Sequence, residues 1–227
     1  MFVRAGGPRD LAALLDLVAL TGPGFTSLPV CRRRLGERLA LSEASFARQV
    51  APRDAWYTLV LDAGDGAVAG VAGVRVTVGQ HRPHPSFRVT DRTLTLVYEC
   101  DGWSEVGSLF LHPARRGGGA GTLLARARYM LIATAPELFA PTVMAELRGF
   151  FTPDGSSPFY EGIARRYYGR PFVDIAGTRR CWPNMPPAIR STSPPPRLRP
   201  GPRSGASISM EPAPWPCWSA KVSPGMV

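Results

Sequence analysis

A glycine-rich run in the middle of the chain has the composition of an anion-binding turn. The run occupies residues 116–121 (RGGGAG), after the apolar residues 109–111 and before leucines at helical spacing. Glycines at the start of a helix leave backbone N–H groups free and pointing one way, and the helix dipole reinforces them. Such a turn holds phosphate or pyrophosphate, and Arg115 and Arg116 add positive charge. We therefore predict a site for a phosphate-bearing ligand.

The elements that position this run include both strands and helices. Apolar stretches predict strands at residues 1–4, 56–61, 68–78, 87–98, 109–111 and 142–147. Helical spacing predicts helices at residues 11–18 (with Asp10 as the cap), 35–46, after residue 121, and 157–168. The fold class that follows is α+β (α/β), with a mixed, mostly antiparallel sheet flanked by helices.

The net charge of +10 is distributed unevenly. Residues 177–227 contain seven basic residues and one acid, whereas residues 1–176 contain 20 basic and 16 acidic residues. Twelve of the 24 prolines also fall after residue 176, without usable periodicity. We therefore expect one domain at residues 1–176 and a Pro/Arg-rich, disordered tail at residues 177–227. Residues 1–176 show no basic patch interleaved with aromatic residues, so no nucleic-acid partner is expected.

Cysteine spacing and hydropathy indicate the environment of the protein. The four cysteines (Cys31, Cys100, Cys181 and Cys217) have no CxxC spacing, which predicts reduced thiols rather than disulfides or a metal site. Neither a signal peptide nor an apolar run of about 18 residues is present. These features predict a cytoplasmic protein without a membrane partner, and they leave open whether it forms an oligomer.

Residues 116–121 fit the pattern R-x-x-G-x-G in a strand–turn–helix context, which resembles motif A of the GNAT acyltransferases. Within that superfamily the chain resembles the arginine N-succinyltransferase family. Five segments carry this resemblance in the expected order: residues 21–29 (TGPGFTSLP), 104–113 (SEVGSLFLHP), 145–149 (AELRG), 154–159 (DGSSPF) and 167–172. The family has a longer segment between Arg88 and Ser104, so a substrate-side loop is shortened here.

The resemblance implies transfer of a succinyl group from succinyl-CoA to the α-amine of L-arginine, the first step of arginine catabolism. Succinyl-CoA would be a co-substrate, and no permanently bound cofactor is implied. The turn would hold the CoA pyrophosphate, and the preceding strand would hydrogen-bond the pantetheine as an added strand does. The residues expected to bind CoA are Leu109, Phe110, Leu111, Arg116, Gly117, Gly119 and Gly121.

Three charged side chains are candidates for the chemistry on the acceptor. Glu105 stands four residues before Leu109, where related acyltransferases place a base; a solvated charge at the start of a strand is the other interpretation. Glu146 and Arg148 flank Leu147 and are candidate substrate contacts. Arg148 would pair with a substrate or succinyl carboxylate, or form a structural ion pair with Glu146 or another acid. His112 is interpreted as a turn residue.

The proton-donating histidine of the family lies downstream, in an Ile-Gly-x-Val-His context, and this chain has no histidine after His112. A shifted reading frame accounts for this difference. Read from the third base of each codon, residues 181–183 encode Leu-Ala, and residues 203–208 permit Ile-Gly-Arg-Val-His. We therefore expect a one- or two-base insertion or deletion near residues 174–180, and an enzyme that is truncated and inactive or weakly active.

Two other functions are considered beside this one. The first is an acetyl-CoA-dependent N-acetyltransferase that acts on another small amine, with Glu105 as its base. The second is a nucleic-acid binder that uses the basic tail at residues 177–227. Acyl donor preference distinguishes the first from a succinyltransferase, and deletion of the tail tests the second.

Overall fold

The computed structural model describes residues 1–22, 25, 27–90, 93–165 and 169–172, together with the backbone of residues 188–190. The strands are β1 (Phe2–Ala5), β2 (Trp56–Asp62), β3 (Val68–Arg75), β4 (Ser86–Thr90), β5 (Thr93–Val97), β6 (Ser104–Leu111), β7 (Val143–Met144) and β8 (Ala188–Arg190). The α-helices are α1 (Leu11–Ala19), α2 (Arg32–Phe46) and α3 (Ala120–Thr134), and Tyr160–Ala164 forms a π-helix. Among these described residues, no helix is both long enough and apolar enough to cross a bilayer.

Five strands form the main sheet in the order β1-β2-β3-β6-β7. Neighbouring strands are antiparallel except for β6 and β7, which are parallel. The prediction of a mixed, mostly antiparallel sheet is therefore confirmed.

Helices cover both faces of this sheet because successive residues of its strands point to opposite sides. On one face, Leu14 of α1 packs in a cluster with Val60 of β2. On the other face, Leu124 of α3 packs with Leu61, the next residue of β2. Val60, Leu61, Leu14 and Leu124 are fully buried, so the core consists of two apolar layers with the sheet between them.

The segment at residues 87–98, predicted as one strand, forms two strands instead. β4 and β5 pair as an antiparallel hairpin in which Thr90 lies opposite Thr93. The two residues between them, Asp91 and Arg92, include no glycine or proline that would have marked a turn in the sequence.

The tail after residue 176 lies outside the described residues, except at Ala188–Arg190. The backbone of these three residues forms β8 and pairs antiparallel with β5, which differs from the expectation of no structure in the tail. This short extended segment pairs with N–H and C=O groups on the edge of β5 that faces away from β4.

Three local predictions differ from the structure. The strand expected at residues 142–147 is reduced to β7, because only Ser104 and Glu105 of β6 pair with it. The helix expected at residues 157–168 is π-helical at Tyr160–Ala164, and residues 166–168 lie outside the described residues. Asp10 itself has helical backbone angles and does not cap α1 through its side chain. Its carboxylate accepts the backbone N–H of Gly7 instead.

Candidate functional site

The glycine-rich turn joins β6 to α3 and has a left-handed backbone at three consecutive glycines. The φ angles of Gly117, Gly118 and Gly119 are 98°, 56° and 80°. Residues with a Cβ rarely adopt this conformation. A Cβ at these three positions would meet no atom within 4 Å, so backbone conformation rather than crowding requires glycine here.

This turn leaves the start of α3 open to a ligand. Gly119 is the N-cap residue, and no side chain caps the helix. The N–H of Ala120 donates to the carbonyl oxygen of Gly117 at 3.2 Å, and that of Leu123 donates to Gly119 at 2.9 Å. The N–H groups of Gly121 and Thr122 complete the first turn, at the positive end of the helix dipole. Gly121, in this first turn, has Leu111 packed against it, and a Cβ there would lie 3.2 Å from Leu111 Cδ1. Residues 117–121 therefore combine a left-handed glycine turn with a helix start that no side chain caps, and anion binding there stays a prediction.

Two arginines precede the turn in sequence and face different partners. The guanidinium of Arg116 lies over the Phe110 ring, 5.7 Å from its centroid. The guanidinium of Arg115 lies 4.0 Å from the carboxylate of Asp65. Both arginines are exposed, and their contacts leave positive charge beside the turn.

A β-bulge in β6 lies just before the turn. Val71 of β3 pairs with Phe110, but Gly73 pairs with Gly107, so β6 contains one extra residue at this point. Ser108 lies in the bulge with a φ of 53°, and its hydroxyl donates to the carbonyl oxygen of Ser27 at 3.0 Å. The bulge therefore ties β6 to the loop between α1 and α2.

Beyond the bulge, one edge of β6 has no strand beside it among the described residues. β3 pairs with Phe110 and Leu111 on one side. On the other side β7 pairs only with Ser104 and Glu105. Leu109 is 38% exposed, whereas Phe110 packs against the α1 cluster. An extended chain can therefore pair with this open edge and continue toward the glycine-rich turn.

Glu105 is buried on the same sheet face as Arg75, its partner across β3 and β6. The nearest approach of the two side chains is 4.0 Å, between Arg75 Nη1 and Glu105 Oε2. Burial and the negative charge of Glu146 raise the pKa of Glu105, while Arg75 opposes the rise. Glu105 is therefore a buried carboxyl rather than a solvated charge, and its role as a base stays a prediction.

His84 joins this cluster, although nothing in the sequence marked it. Its Nε2 lies 2.9 Å from Oε1 of Glu146. The hydrogen bond to Glu146 raises the pKa of His84 although burial opposes the rise. The two residues are 62 positions apart in sequence, so only the folded chain brings them together.

Arg148 does not form the ion pair with Glu146 that was one of its two predicted roles. Its guanidinium donates to the carbonyl oxygen of Thr21 at 3.3 Å and lies over the Phe151 ring. Glu146 pairs with His84 instead. His112 accepts the N–H of Ala114 through Nδ1, as expected of a turn residue.

The aromatic ring of Trp56 borders the same face of the sheet. Trp56 lies opposite Arg75 in the register of β2 and β3. The guanidinium of Arg38 lies 4.2 Å from the centroid of the Trp56 ring, and Arg38 also donates to Ser27. Among the described residues, no group of three His, Cys, Asp or Glu side chains is arranged to hold a metal ion. The face instead combines a buried carboxyl with cationic and aromatic neighbours.

Comparison with known proteins identifies the family. A sequence model described as arginine N-succinyltransferase beta subunit matches residues 1–179 of the 227-residue chain. The chain belongs to the arginine N-succinyltransferase family. Members of this family are therefore the appropriate references for the fold and the site.

Two curated relatives are similar to this chain over most of its length. Arginine N-succinyltransferase subunit beta of Pseudomonas aeruginosa is 36% identical over 186 residues, which cover 76% of this chain and 55% of the relative. Arginine N-succinyltransferase of Citrobacter koseri is 33% identical over 187 residues, which cover 76% of this chain and 54% of the relative. The chain thus spans about half the length of these arginine N-succinyltransferases.

A solved member of the family has the same fold. The structure of arginine/ornithine succinyltransferase subunit AI from Pseudomonas aeruginosa superposes with a TM-score of 0.72 at 27% identity, covering 77% of this chain and 58% of that chain. The predicted GNAT-like acyltransferase fold is therefore confirmed for the described part of this family member.

Proposed function

We propose that this chain is the acyl-CoA-binding half of an arginine N-succinyltransferase, which transfers succinyl from succinyl-CoA to the α-amine of L-arginine. One observation carries the proposal: among the described residues, β6 has an open edge that leads into a left-handed glycine turn and the start of α3, which no side chain caps. An extended thioester with a pyrophosphate at its end matches both parts of this surface.

The CoA moiety would bind along the edge of β6. The first-turn N–H groups of α3 would hold the pyrophosphate, with Gly117, Gly119 and Gly121 providing the close approach. The backbone of Leu109–Leu111 would pair with the pantetheine, and Arg116 would add charge beside the phosphates. The exposure of Leu109 supports a contact between its side chain and the acyl-pantetheine end.

The acceptor amine would bind on the sheet face that carries Glu105. Glu105 would take a proton from the ammonium group, and the neutral amine would attack the thioester carbonyl. The bond from the carbonyl carbon to nitrogen forms, the bond from that carbon to sulfur breaks, and the departing thiolate needs a proton. Arg148 and Glu146 lie on the segment after β7, where the carboxylate and the cationic group of the acceptor would bind.

We propose that residues 113–227 do not supply the family's proton-donating histidine, since they contain no histidine. A shifted reading frame near residues 174–180 would explain that absence and the Pro/Arg-rich composition that follows. Sequencing the gene across codons 170–185 from independent clones tests this explanation. A frame verified as intact would contradict it.

Binding and transfer can be measured separately on the purified chain. Calorimetric titration with CoA is expected to give a Kd below about 1 mM, and no detectable binding would contradict the proposal. Succinyl-CoA and acetyl-CoA are then each incubated with L-arginine and other amines, and the products are identified by mass spectrometry. Succinylarginine supports the proposal. Acetylation of another amine would instead identify an acetyltransferase.

A further inference from the structure

His84 and Glu146 form a pair beside Glu105 that the proposed reaction has not used so far. The side chains become progressively more exposed across the cluster, from 10% for Glu105 and 20% for His84 to 51% for Glu146. Glu105 pairs in register with Met144 of β7, and Glu146 follows two residues later, on the same side of an extended chain. The pair therefore lies between the buried carboxyl and solvent.

The position of His84 is fixed by contacts outside the pair. Its backbone N–H donates to Oδ1 of Asp101 at 2.7 Å. Asp101 packs against Gly79, where the φ is +77° and a Cβ would lie 2.2 Å from Asp101 Oδ1. Since both the backbone and the ring of His84 are held, its placement beside Glu105 is built into the fold.

The charges that act on Glu105 come from every element around it. Burial and the charge of Glu146 raise the pKa of Glu105, and Arg75 of β3, His84 and Arg38 of α2 oppose the rise. The charge on His84 is the adjustable member of this set because imidazole titrates near neutral pH. The hydrogen bond to Glu146 favours the protonated ring.

We propose that His84, held by Glu146, is a positioning residue whose imidazolium charge offsets the carboxylate of Glu146 and so favours the ionised Glu105 that accepts a proton from the acceptor amine. The role in amine deprotonation depends on the proposed function. The proton moves from the ammonium to Glu105, giving a neutral amine and a carboxylic acid, and His84 keeps its own proton. At a pH high enough to deprotonate His84, its support for the Glu105 carboxylate is lost.

Carbon-13 NMR of the glutamate carboxyl groups tests this directly, with the Glu105 signal assigned by Glu105→Gln. Removing the positive charge in His84→Gln is expected to raise the titration midpoint of Glu105. His84→Lys keeps a cation at this position and is expected to restore most of the shift, which a purely structural role would not do. An unchanged midpoint in His84→Gln would overturn the proposal.

His81→Gln is the matched control. His81 lies in the same loop and also pairs with a carboxylate, Asp54, at 2.9 Å, but its ring is 75% exposed and it is not among the charges acting on Glu105. The same substitution there is expected to leave the Glu105 midpoint unchanged. A shift as large as that in His84→Gln would mean that the loop, not the charge, acts on Glu105.

The unsubstituted protein provides a second test, so the result does not depend on whether a variant folds. The Glu105 carboxyl signal is expected to show a second inflection at the pH where the His84 ring titrates. Its absence would overturn the proposal. Neither NMR measurement requires acyl transfer. Failure to bind CoA would therefore contradict the proposed function but not this inference. A Glu105 signal that does not respond to His84 would contradict this inference but not the proposed function.

Discussion

Oε1 of Glu105 lies 3.2 Å from the position that a Cβ would occupy at Gly107. The carboxylate therefore extends along β6 over the space that this glycine leaves, in the direction of Leu109. Leu109 follows two residues after Gly107, just past the bulge at Ser108. This contact directs the candidate base toward the end of β6 where we place the thioester.

Gly107→Ala is expected to displace the Glu105 carboxylate while costing little stability, because only the flexible end of a side chain must move. We expect the rate of amine acylation to fall by one to two orders of magnitude, as about 1 Å of misplacement can cause. CoA affinity should be unchanged, since the turn at α3 is untouched. Product formation by mass spectrometry and calorimetry with CoA measure the two effects.

Gly36→Ala is the control for this substitution. Gly36 lies in α2, and a Cβ there would make ordinary contact with Leu11 at 3.6 Å. Alanine is the better helix former, so this variant should be as stable as the parent or more stable. If Gly107→Ala acylates the amine at the same rate as Gly36→Ala, the contact between Glu105 and Gly107 has no catalytic importance.

Gly119→Ala is expected to weaken CoA binding by about tenfold. The left-handed conformation at Gly119 costs a residue with a Cβ about 1–2 kcal/mol, so the turn would rearrange and misalign the N–H groups of α3. Gly66→Ala is matched to it, with a φ of +83° and equally open space. Thermal denaturation should show similar destabilisation in both variants, and calorimetry should show weaker binding only in Gly119→Ala. Equal CoA affinity in the two would exclude this turn as the pyrophosphate site.

Arg4→Met is expected to destabilise the fold by about 2 kcal/mol, less than breaking a fully buried pair costs. Arg4 donates to Asp10 at 2.7 and 3.0 Å, and Asp10 is buried. Urea denaturation at pH 7 measures this difference. Arg33→Met, which removes an exposed pair with Glu37, should cost less than about 0.5 kcal/mol. Equal losses in the two variants would contradict a special role for the Arg4 pair.

The contribution of Arg4 should also depend on pH. Although burial opposes it, the hydrogen bond from Arg4 lowers the pKa of Asp10 below its ordinary value. A lowered pKa in the folded state means stability that is present above the unfolded pKa, near 4, and lost as the pH falls through the folded value. Urea denaturation from pH 7 to pH 2 should therefore bring Arg4→Met and the parent together in acid. A constant difference would contradict the linkage.

Cys31 is expected to be alkylated by iodoacetamide at least tenfold faster than Cys100 at pH 7. Hydrogen bonds from the backbone of Arg34 and Arg33 lower the pKa of the Cys31 thiol, and the thiolate is the reactive form. Cys31 is exposed, whereas Cys100 is buried. Peptide mapping over a time course measures both rates, and the difference should vanish in urea. Equal rates in the folded protein would refute the prediction.

The sequence predicted the main sheet and the glycine turn because both depend on local patterns. Apolar strands and consecutive glycines are visible in short windows. Sequence reasoning also selected Glu105, through the family resemblance, but its burial depends on neighbouring strands. The bulge was missed because Ser108, not a glycine, adopts the positive φ angle.

His84 was missed for a different reason. Its partner Glu146 is 62 residues away, and neither residue belongs to a motif that predicts the pairing. The short length of β7 and the hairpin of β4 and β5 likewise depend on which strands find partners. Contacts of this kind are decided by tertiary packing, which residue patterns do not encode locally.

The extra residue in β6 has a consequence for how the chain tolerates changes in length. Side chains alternate across a strand, so the bulge reverses which side of the sheet each later position faces. Deleting Ser108 would straighten the ladder and move either Glu105 or Phe110 to the wrong side. A surface loop usually tolerates the deletion of one residue. In β6 the same deletion would place Glu105 and the open edge of the strand on different sides of the sheet. A change of length between Ser104 and Leu111 is therefore a stronger sign of lost function in a relative than a substitution at any one of these positions.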